Sequence, residues 1–128
     1  MNALLDTHTF LWWNIDDPRL SEMAREIIAN GENEIYFSAA SAWEIAIKTA
    51  RKRLILPEPP EQYVAKRMNL HHFKPLPIQL SHALHVYNLA ELHRDPFDRL
   101  LIAQCQIEGM PLISADAEIA QYKVDVLW

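Results

Sequence analysis

Four carboxylates stand where strand ends or helix starts could gather them: Asp6, Glu44, Asp98 and Asp116. Asp6 directly follows the apolar run Asn2-Ala3-Leu4-Leu5, and Asp116 follows a run ending at Ser114. Glu44 lies inside the apolar stripe of a helical segment, and Asp98 opens another that continues to Glu108. Each acid also has a purely structural reading. Asp6 and Asp116 can cap helices beginning at Thr7 and Ala117. Ser41-Ala42-Trp43-Glu44 fits an S-x-x-E capping box. Asp95-Pro96-Phe97-Asp98 fits a cap, a proline at the first helical position and an acid that compensates the dipole. Four separate caps do not explain why all four acids fall where one sheet edge would collect them. Carboxylates packed together repel and shift in pKa unless a cation lies among them. Ligation by oxygen alone suits Mg2+ or Mn2+. One such ion polarises a phosphoryl oxygen and acidifies a bound water; two, about 4 Å apart, hold both the attacking and leaving oxygens of an in-line displacement. The chemistry implied is phosphodiester hydrolysis, with these four acids as its catalytic and metal-ligating candidates.

Such acids need a scaffold, and the hydrophobic pattern supplies one. Residues 2–5, 34–37 and 111–114 are short apolar runs of the kind buried on both faces of a sheet, and residues 72–76 form a weaker one. Between them lie helical patterns. Leu20-Ser21 opens one with Met23, Ala24, Ile27 and Ile28 on a face, stopped by Asn30-Gly31 as a C-cap. Residues 39–51 carry Ala40, Trp43, Ile47 and Ala50 in a stripe, and residues 80–92 carry Leu80, Ala83, Leu84 and Tyr87. Residues 97–108, ending at Gly109, are apolar on most sides and should lie deep against a sheet. This alternation predicts a three-layer α/β/α sandwich with a mostly parallel sheet, whose ligands bind outside the carboxyl ends of the strands.

Composition narrows the class further. At 128 residues, half of them apolar and 23% charged, the chain is expected to form one globular domain over residues 1–128. Pro57-Glu58-Pro59-Pro60 is too short to divide it. No apolar run is long enough for a membrane span, and no basic patch precedes the first apolar run, so no secretory signal is expected. The lone Cys105 excludes an internal disulfide framework and a Cys-pair zinc site, which points to a reducing, cytoplasmic compartment. Gly31 and Gly109 cannot build a G-x-G-x-x-G or Walker A loop. The net charge of −5 argues against nucleic acid at first sight. Four of the acids, however, are expected to share one pocket, where two divalent cations would add four positive charges.

Four segments, in order, resemble the motifs of PIN-domain nucleases of the VapC type, toxins of type II toxin–antitoxin pairs. They are Leu4-Leu5-Asp6-Thr7-His8-Thr9-Phe10-Leu11-Trp12-Trp13, Ser38-Ala39-Ala40-Ser41-Ala42-Trp43-Glu44-Ile45-Ala46-Ile47-Lys48, His93-Arg94-Asp95-Pro96-Phe97-Asp98-Arg99-Leu100-Leu101-Ile102-Ala103-Gln104 and Leu112-Ile113-Ser114-Ala115-Asp116. The likeness spans the whole chain, and the third segment is the most specific. It implies an α/β/α fold and an endoribonuclease dependent on Mg2+ or Mn2+, one or two ions, in which a metal-activated water leaves a 5′-phosphate and a 3′-hydroxyl. The family's acidic quartet falls on Asp6, Glu44, Asp98 and Asp116. Ser114 matches a hydroxyl that supports the site, Thr7 is implied to hydrogen-bond a ligand carboxylate, and Asp95 is assigned to capping and support. The resemblance also implies a separate VapB-type antitoxin, an RNA substrate and a homodimer. Two positions depart from the pattern: Arg51-Lys52-Arg53-Leu54 where relatives often place glycine before leucine, and Cys105 where alanine is usual.

Other features carry less. Lys48, Arg51, Lys52 and Arg53 could meet RNA phosphates, but a solvated helix end with cations complementing the dipole is the favoured reading. Arg94 and Arg99, flanking Asp98, are better placed for a phosphate. His82 and His85 have i, i+3 spacing without a third ligand and read as solvated helix histidines; His71 and His72 form no pattern. Trp12 and Trp13 suit an interface or the core equally. Two other functions stay open. An aspartyl-phosphate phosphatase would need an acid where His8 stands, and a catalytically silent RNA- or protein-binding module would not need four intact acids.

Overall fold

A computed structural model describes residues 1–128. Five strands, β1 (Asn2–Leu5), β2 (Glu34–Ser38), β3 (Lys74–Leu76), β4 (Leu112–Ile113) and β5 (Val126–Leu127), form one sheet in the order β3-β2-β1-β4-β5. All four pairings are parallel. Parallel neighbours need crossovers, and six helices are interleaved with the strands: α1 (Thr7–Ile15), α2 (Glu22–Ala29), α3 (Ala39–Ala50), α4 (Pro60–His71), α5 (Leu80–His85) and α6 (Pro96–Glu108). The expected α/β sandwich is the fold observed, with its sheet wholly parallel.

Strand alternation splits the interior into two cores. Ala3, Leu5, Ile35, Phe37 and Ile113 pack on one side with Phe10, Ala24, Ile28, Ile45 and Tyr63. Leu4, Leu76 and Leu112 pack on the other with Leu101, Ile102, Ala103 and Cys105 of α6. Phe10 anchors the first core, its ring 4.1 Å from Phe37 and 6.1 Å from Phe73. Burying one such side chain contributes about 2–3 kcal/mol. The buried middle of α6 is the deep apolar helix that its sequence predicts.

The register places the site. Leu5 pairs with both Phe37 and Ile113. The residues that follow, Asp6, Ser38 and Ser114, therefore emerge together at the carboxyl edge of the three central strands. Each turns the chain by hydrogen bonding: Asp6 and Ser38 cap α1 and α3, and Ser114 accepts from the Asp116 amide.

Several expectations need correction. The pattern over residues 80–92 is helical only to His85, with a 3-10 turn at Val86–Asn88. Its stripe of Leu80, Ala83, Leu84 and Tyr87 faces outward, because His82 is the side chain this short helix turns inward. On α3 the inward face is Ala40, Ser41, Glu44 and Ile45, while Trp43 is 56% exposed with its ring edge-on to Phe97. Asn30, in extended conformation, ends α2; its side chain and carbonyl accept from the Glu32 and Asn33 amides, so Gly31 is no left-handed cap. Gly109 is one, at φ 67°. Helix α4 has no counterpart in the sequence reading; Pro60 of the proline run starts it, and His72 closes it left-handed where a strand was expected to begin. Lys52 also takes a left-handed conformation in the segment that departs from the family pattern. No helix is long and apolar enough to cross a membrane.

Candidate active site

Asp6 combines its two sequence readings. It caps α1, with Oδ1 accepting from the Thr9 amide at 2.7 Å, and its Oδ2 accepts from Ser114 Oγ at 2.5 Å. Burial raises its pKa even though these hydrogen bonds act the other way. The Thr9 hydroxyl donates to the Ile113 carbonyl at 2.9 Å, tying α1 to β4 beneath the carboxylate. Glu44 is not part of a capping box, since Ser38 caps α3. Its Oε1 accepts from the Thr7 hydroxyl at 2.6 Å, and its Oε2 lies 2.5 Å from Lys48 Nζ. One hydroxyl and one ammonium thus hold a carboxylate that is only 3% exposed, and Thr7 Oγ1 is itself 2.9 Å from Ser41 Oγ.

Asp98 stands in the first turn of α6, whose N-cap is Asp95; the Asp95 side chain accepts from the Phe97 and Asp98 amides at 2.8 and 3.1 Å. Burial pushes the Asp98 pKa up to about 7, helped by the negative charges of Asp95, Asp6 and Glu44 and opposed by His93. Asp116 accepts from the Glu118 amide at 2.8 Å, a local turn that precedes a short 3-10 segment at Ile119–Gln121. His93 Nε2 lies 2.9 Å from Asp98 Oδ2 and 3.1 Å from Asp116 Oδ2, and its Nδ1 lies 3.1 Å from Glu118 Oε2. Burial pulls the His93 pKa down, but the Asp116 hydrogen bond and the charges of Asp98, Asp116 and Glu118 leave it raised.

Asp6, Asp98 and Asp116 line one cleft of about 300 Å³ with His8, Trp12 and Arg19. Glu44 opens on a neighbouring cleft of about 280 Å³ with Thr7, Lys48 and Arg53, and the two clefts share His8, Trp12 and Arg19. The quartet thus converges at the strand ends, three acids in one cleft and the fourth next door. Thr7 and Ser114 touch the carboxylates they were expected to touch, and Asp95 caps.

The cations are arranged differently from the expectation. Arg99 is withdrawn from any phosphate: its guanidinium donates to the Val86 and Ala90 carbonyls and to Tyr122 Oη. One residue on from Asp98, it points about 100° round the helix. Arg94 is exposed on the preceding loop. Lys48 and Arg53 border the Glu44 cleft instead of being merely a solvated helix end, while Arg51 and Lys52 are exposed. His82 and His85 are not solvated either. His82 is 1% exposed between the Gln79 amide and Glu108, and His85 meets Gln106. Trp12 and Trp13 are both half-buried, against Trp128 and His71 respectively. The sequence reading missed His93 as a site residue. Its one available signal was its place five residues before Asp98 in the most specific segment.

The donor set fits a divalent cation. His93, Asp98 and Asp116 each offer an atom within 4.8 Å of the others. A carboxyl pushed up to about 7 by burial and like charge marks a place where positive charge is wanted.

Comparison with known proteins agrees with this architecture. Over 72 residues the chain is 42% identical to Ribonuclease VapC16 of Mycobacterium tuberculosis, a match covering 53% of this chain and 51% of that protein. The match therefore spans about half the length of that relative. It is 27% identical over 122 residues to Ribonuclease VapC22 of the same organism, covering 94% of this chain and 92% of that one. By structure it is similar to VapBC2 from Rickettsia felis, solved bound to a promoter DNA fragment, with a TM-score of 0.71 at 12% identity over 98% of this chain and 97% of that one. The PIN domain model matches residues 3–125. The chain belongs to the PIN-domain family.

Proposed function

We propose that residues 1–128 form one catalytic domain: a VapC-type toxin that cleaves RNA internally with the help of Mg2+ or Mn2+, one or two ions. The observation that carries this reading is the shared strand-end cleft of Asp6, Asp98 and Asp116, with Glu44 beside it. Asp6, Glu44, Asp98 and Asp116 would hold the metal. A bound divalent cation supplies charge stabilisation at a phosphoryl oxygen and acidifies a water. The chain's own groups do the rest. Ser114 and the Thr9 amide fix the Asp6 oxygens, and Thr7 and Lys48 fix those of Glu44. Asp98 sheds its proton near neutral pH. Lys48, Arg53 and Arg94 offer charge to the RNA backbone along the rim.

Names and chemistry together support the partners. The relatives named ribonucleases and the VapBC2 likeness support a VapB-type antitoxin encoded separately. A basic segment of such a partner would pair with the acids the metal needs. The outward stripe of Leu80, Leu84 and Tyr87 is apolar surface that a homodimer would cover. The working place is the cytoplasm, consistent with a lone, buried, unpaired Cys105. The test is cleavage of a defined RNA by the purified protein with Mg2+ or Mn2+. Asp6→Asn should abolish it while the melting temperature stays within a few degrees, about the shift of 1 kcal/mol; undiminished cleavage by Asp6→Asn would remove the reading.

A further inference from the structure

His93 has no role in the acidic quartet, yet it lies at the centre of the more exposed half of the site. Its side chain is 12% exposed, and three carboxylates converge on one ring. A plain ion-pair reading leaves something unexplained. Nε2 carries at most one hydrogen, in the ring plane, yet oxygens of Asp98 and Asp116 both approach that nitrogen, at 2.9 and 3.1 Å. Two carboxylate oxygens and one imidazole nitrogen, all within 4.8 Å of one another, are a donor set that can hold a cation. The far side of the ring is built to match. Glu118 Oε2 lies 3.1 Å from Nδ1. The Asp95 amide also reaches Nδ1, at 3.3 Å. With a cation taking the Nε2 lone pair, the ring proton would pass to Nδ1 and Glu118 would accept it, as the outer partners of metal-bound histidines do.

The loop that carries His93 is itself held down. Tyr122 Oη accepts from the Leu92 and His93 amides at 3.1 and 2.8 Å and donates to the Ala90 carbonyl. The Arg99 guanidinium bonds the Ala90 carbonyl from the other side. The backbone from which the ring projects is thereby set in place by contacts that do not depend on the carboxylates.

We propose that His93 ligates the cation through Nε2 together with Asp98 and Asp116, with Glu118 orienting the ring, and that this nitrogen gives the site a preference for Mn2+ over Mg2+. The proposal rests on the metal-dependent reading above. A nitrogen donor favours first-row transition ions, whereas Mg2+ prefers an all-oxygen shell with several waters.

The test uses the full chain loaded with Mn2+. Electron spin-echo modulation should show a directly coordinated histidine nitrogen, and growth on histidine labelled with heavy nitrogen should change that modulation in the wild-type protein. The modulation should vanish in His93→Gln. That variant should bind Mn2+ about 10–100-fold more weakly, Glu118→Gln should lose affinity on the same scale, and Mg2+ affinity should move much less in both. Because labelling uses wild-type protein, a poorly folded variant does not spoil the test. Bound Mn2+ with RNA cleavage but no nitrogen modulation would overturn the proposal and leave the ribonuclease reading standing. Failure of the wild type to bind Mn2+, with cleavage persisting in chelator, would overturn both.

Discussion

Asp6 and Glu44 are almost wholly buried, and every oxygen they carry is held by a hydroxyl, an amide or an ammonium. Asp98 and Asp116 are partly exposed and lean on a single imidazole. The first pair follows or flanks central strands, where parallel register leaves no freedom. The second pair sits at a helix start and a loop. This difference separates two tasks within one site. The buried pair is a rigid set of anchors whose cost of desolvation is met by hydrogen bonds. In the outer pair the Asp98 carboxyl is left undercompensated: burial first, and the negative charges of Asp95, Asp6 and Glu44 after it, raise its pKa. A cation would bind where these halves meet, taking geometry from one and drive from the other.

That contrast can be broken most severely by neutralising either half. Asp98→Asn and Asp6→Asn should each lower RNA cleavage by at least about a thousandfold, the scale of several kcal/mol of lost charge stabilisation, measured as single-turnover rates. Asp98→Asn should leave the fold at least as stable without metal, whereas Asp6→Asn keeps the cap on the Thr9 amide and loses only the acceptor for Ser114 Oγ. Next in size is the support of the anchors. Ser114→Ala should weaken metal binding about 10–100-fold, read by calorimetry, with a smaller loss in Thr7→Val because Lys48 still holds Glu44.

Lys48→Met leaves the Glu44 carboxylate buried without its counter-charge. The metal-free protein should lose about 1–2 kcal/mol, less than a fully buried pair because the ammonium is 39% exposed. Added Mg2+ should recover most of this in a denaturant titration. The pH dependence has a definite sign. Asp98 has a folded pKa raised to about 7, so its contribution to stability is present below its unfolded pKa and is lost as pH rises through about 7. His93, also raised, acts in the same direction as pH climbs past its ordinary value. The metal-free melting temperature should therefore fall from about pH 4 to about 7 through Asp98, with a further fall above the ordinary histidine value through His93, and Asp98→Asn should remove the first of these. Smallest of all, Arg94→Ala should leave the rate at low salt nearly unchanged and reduce the salt dependence of RNA binding by about one counterion.

Most of the scaffold was legible because its signals are local. Apolar runs ending in an acid or a serine mark the central strands, and Asp6, Ser21 and Asp95 cap where their types say they should. What failed was orientation. On α3 the apolar stripe of the sequence lies about one residue out of register with the buried face, so Trp43 is outside and Ser41 inside. The stripe on α5 describes an outer face, since a single buried histidine outweighs the apolar residues of so short a helix. The four acids could be chosen from position and resemblance. Lys48 carries an i, i+4 signal toward Glu44, but its place beside Arg51, Lys52 and Arg53 gives the same residues the signature of a solvated helix end. His93 and Glu118 had no periodic signal because they lie outside regular helices and strands, and only folding brings them to Asp98 and Asp116.

The central claim is that these strand-end acids form a metal-dependent ribonuclease site. It is tested most directly by following cleavage of one defined RNA by the purified chain, first with chelator, then with Mn2+ or Mg2+ restored, beside Asp98→Asn of unchanged melting temperature. The account predicts no cleavage in chelator, recovery with either ion, and none from the variant under any condition. Cleavage that persists in chelator, or that Asp98→Asn performs at the wild-type rate, would contradict it.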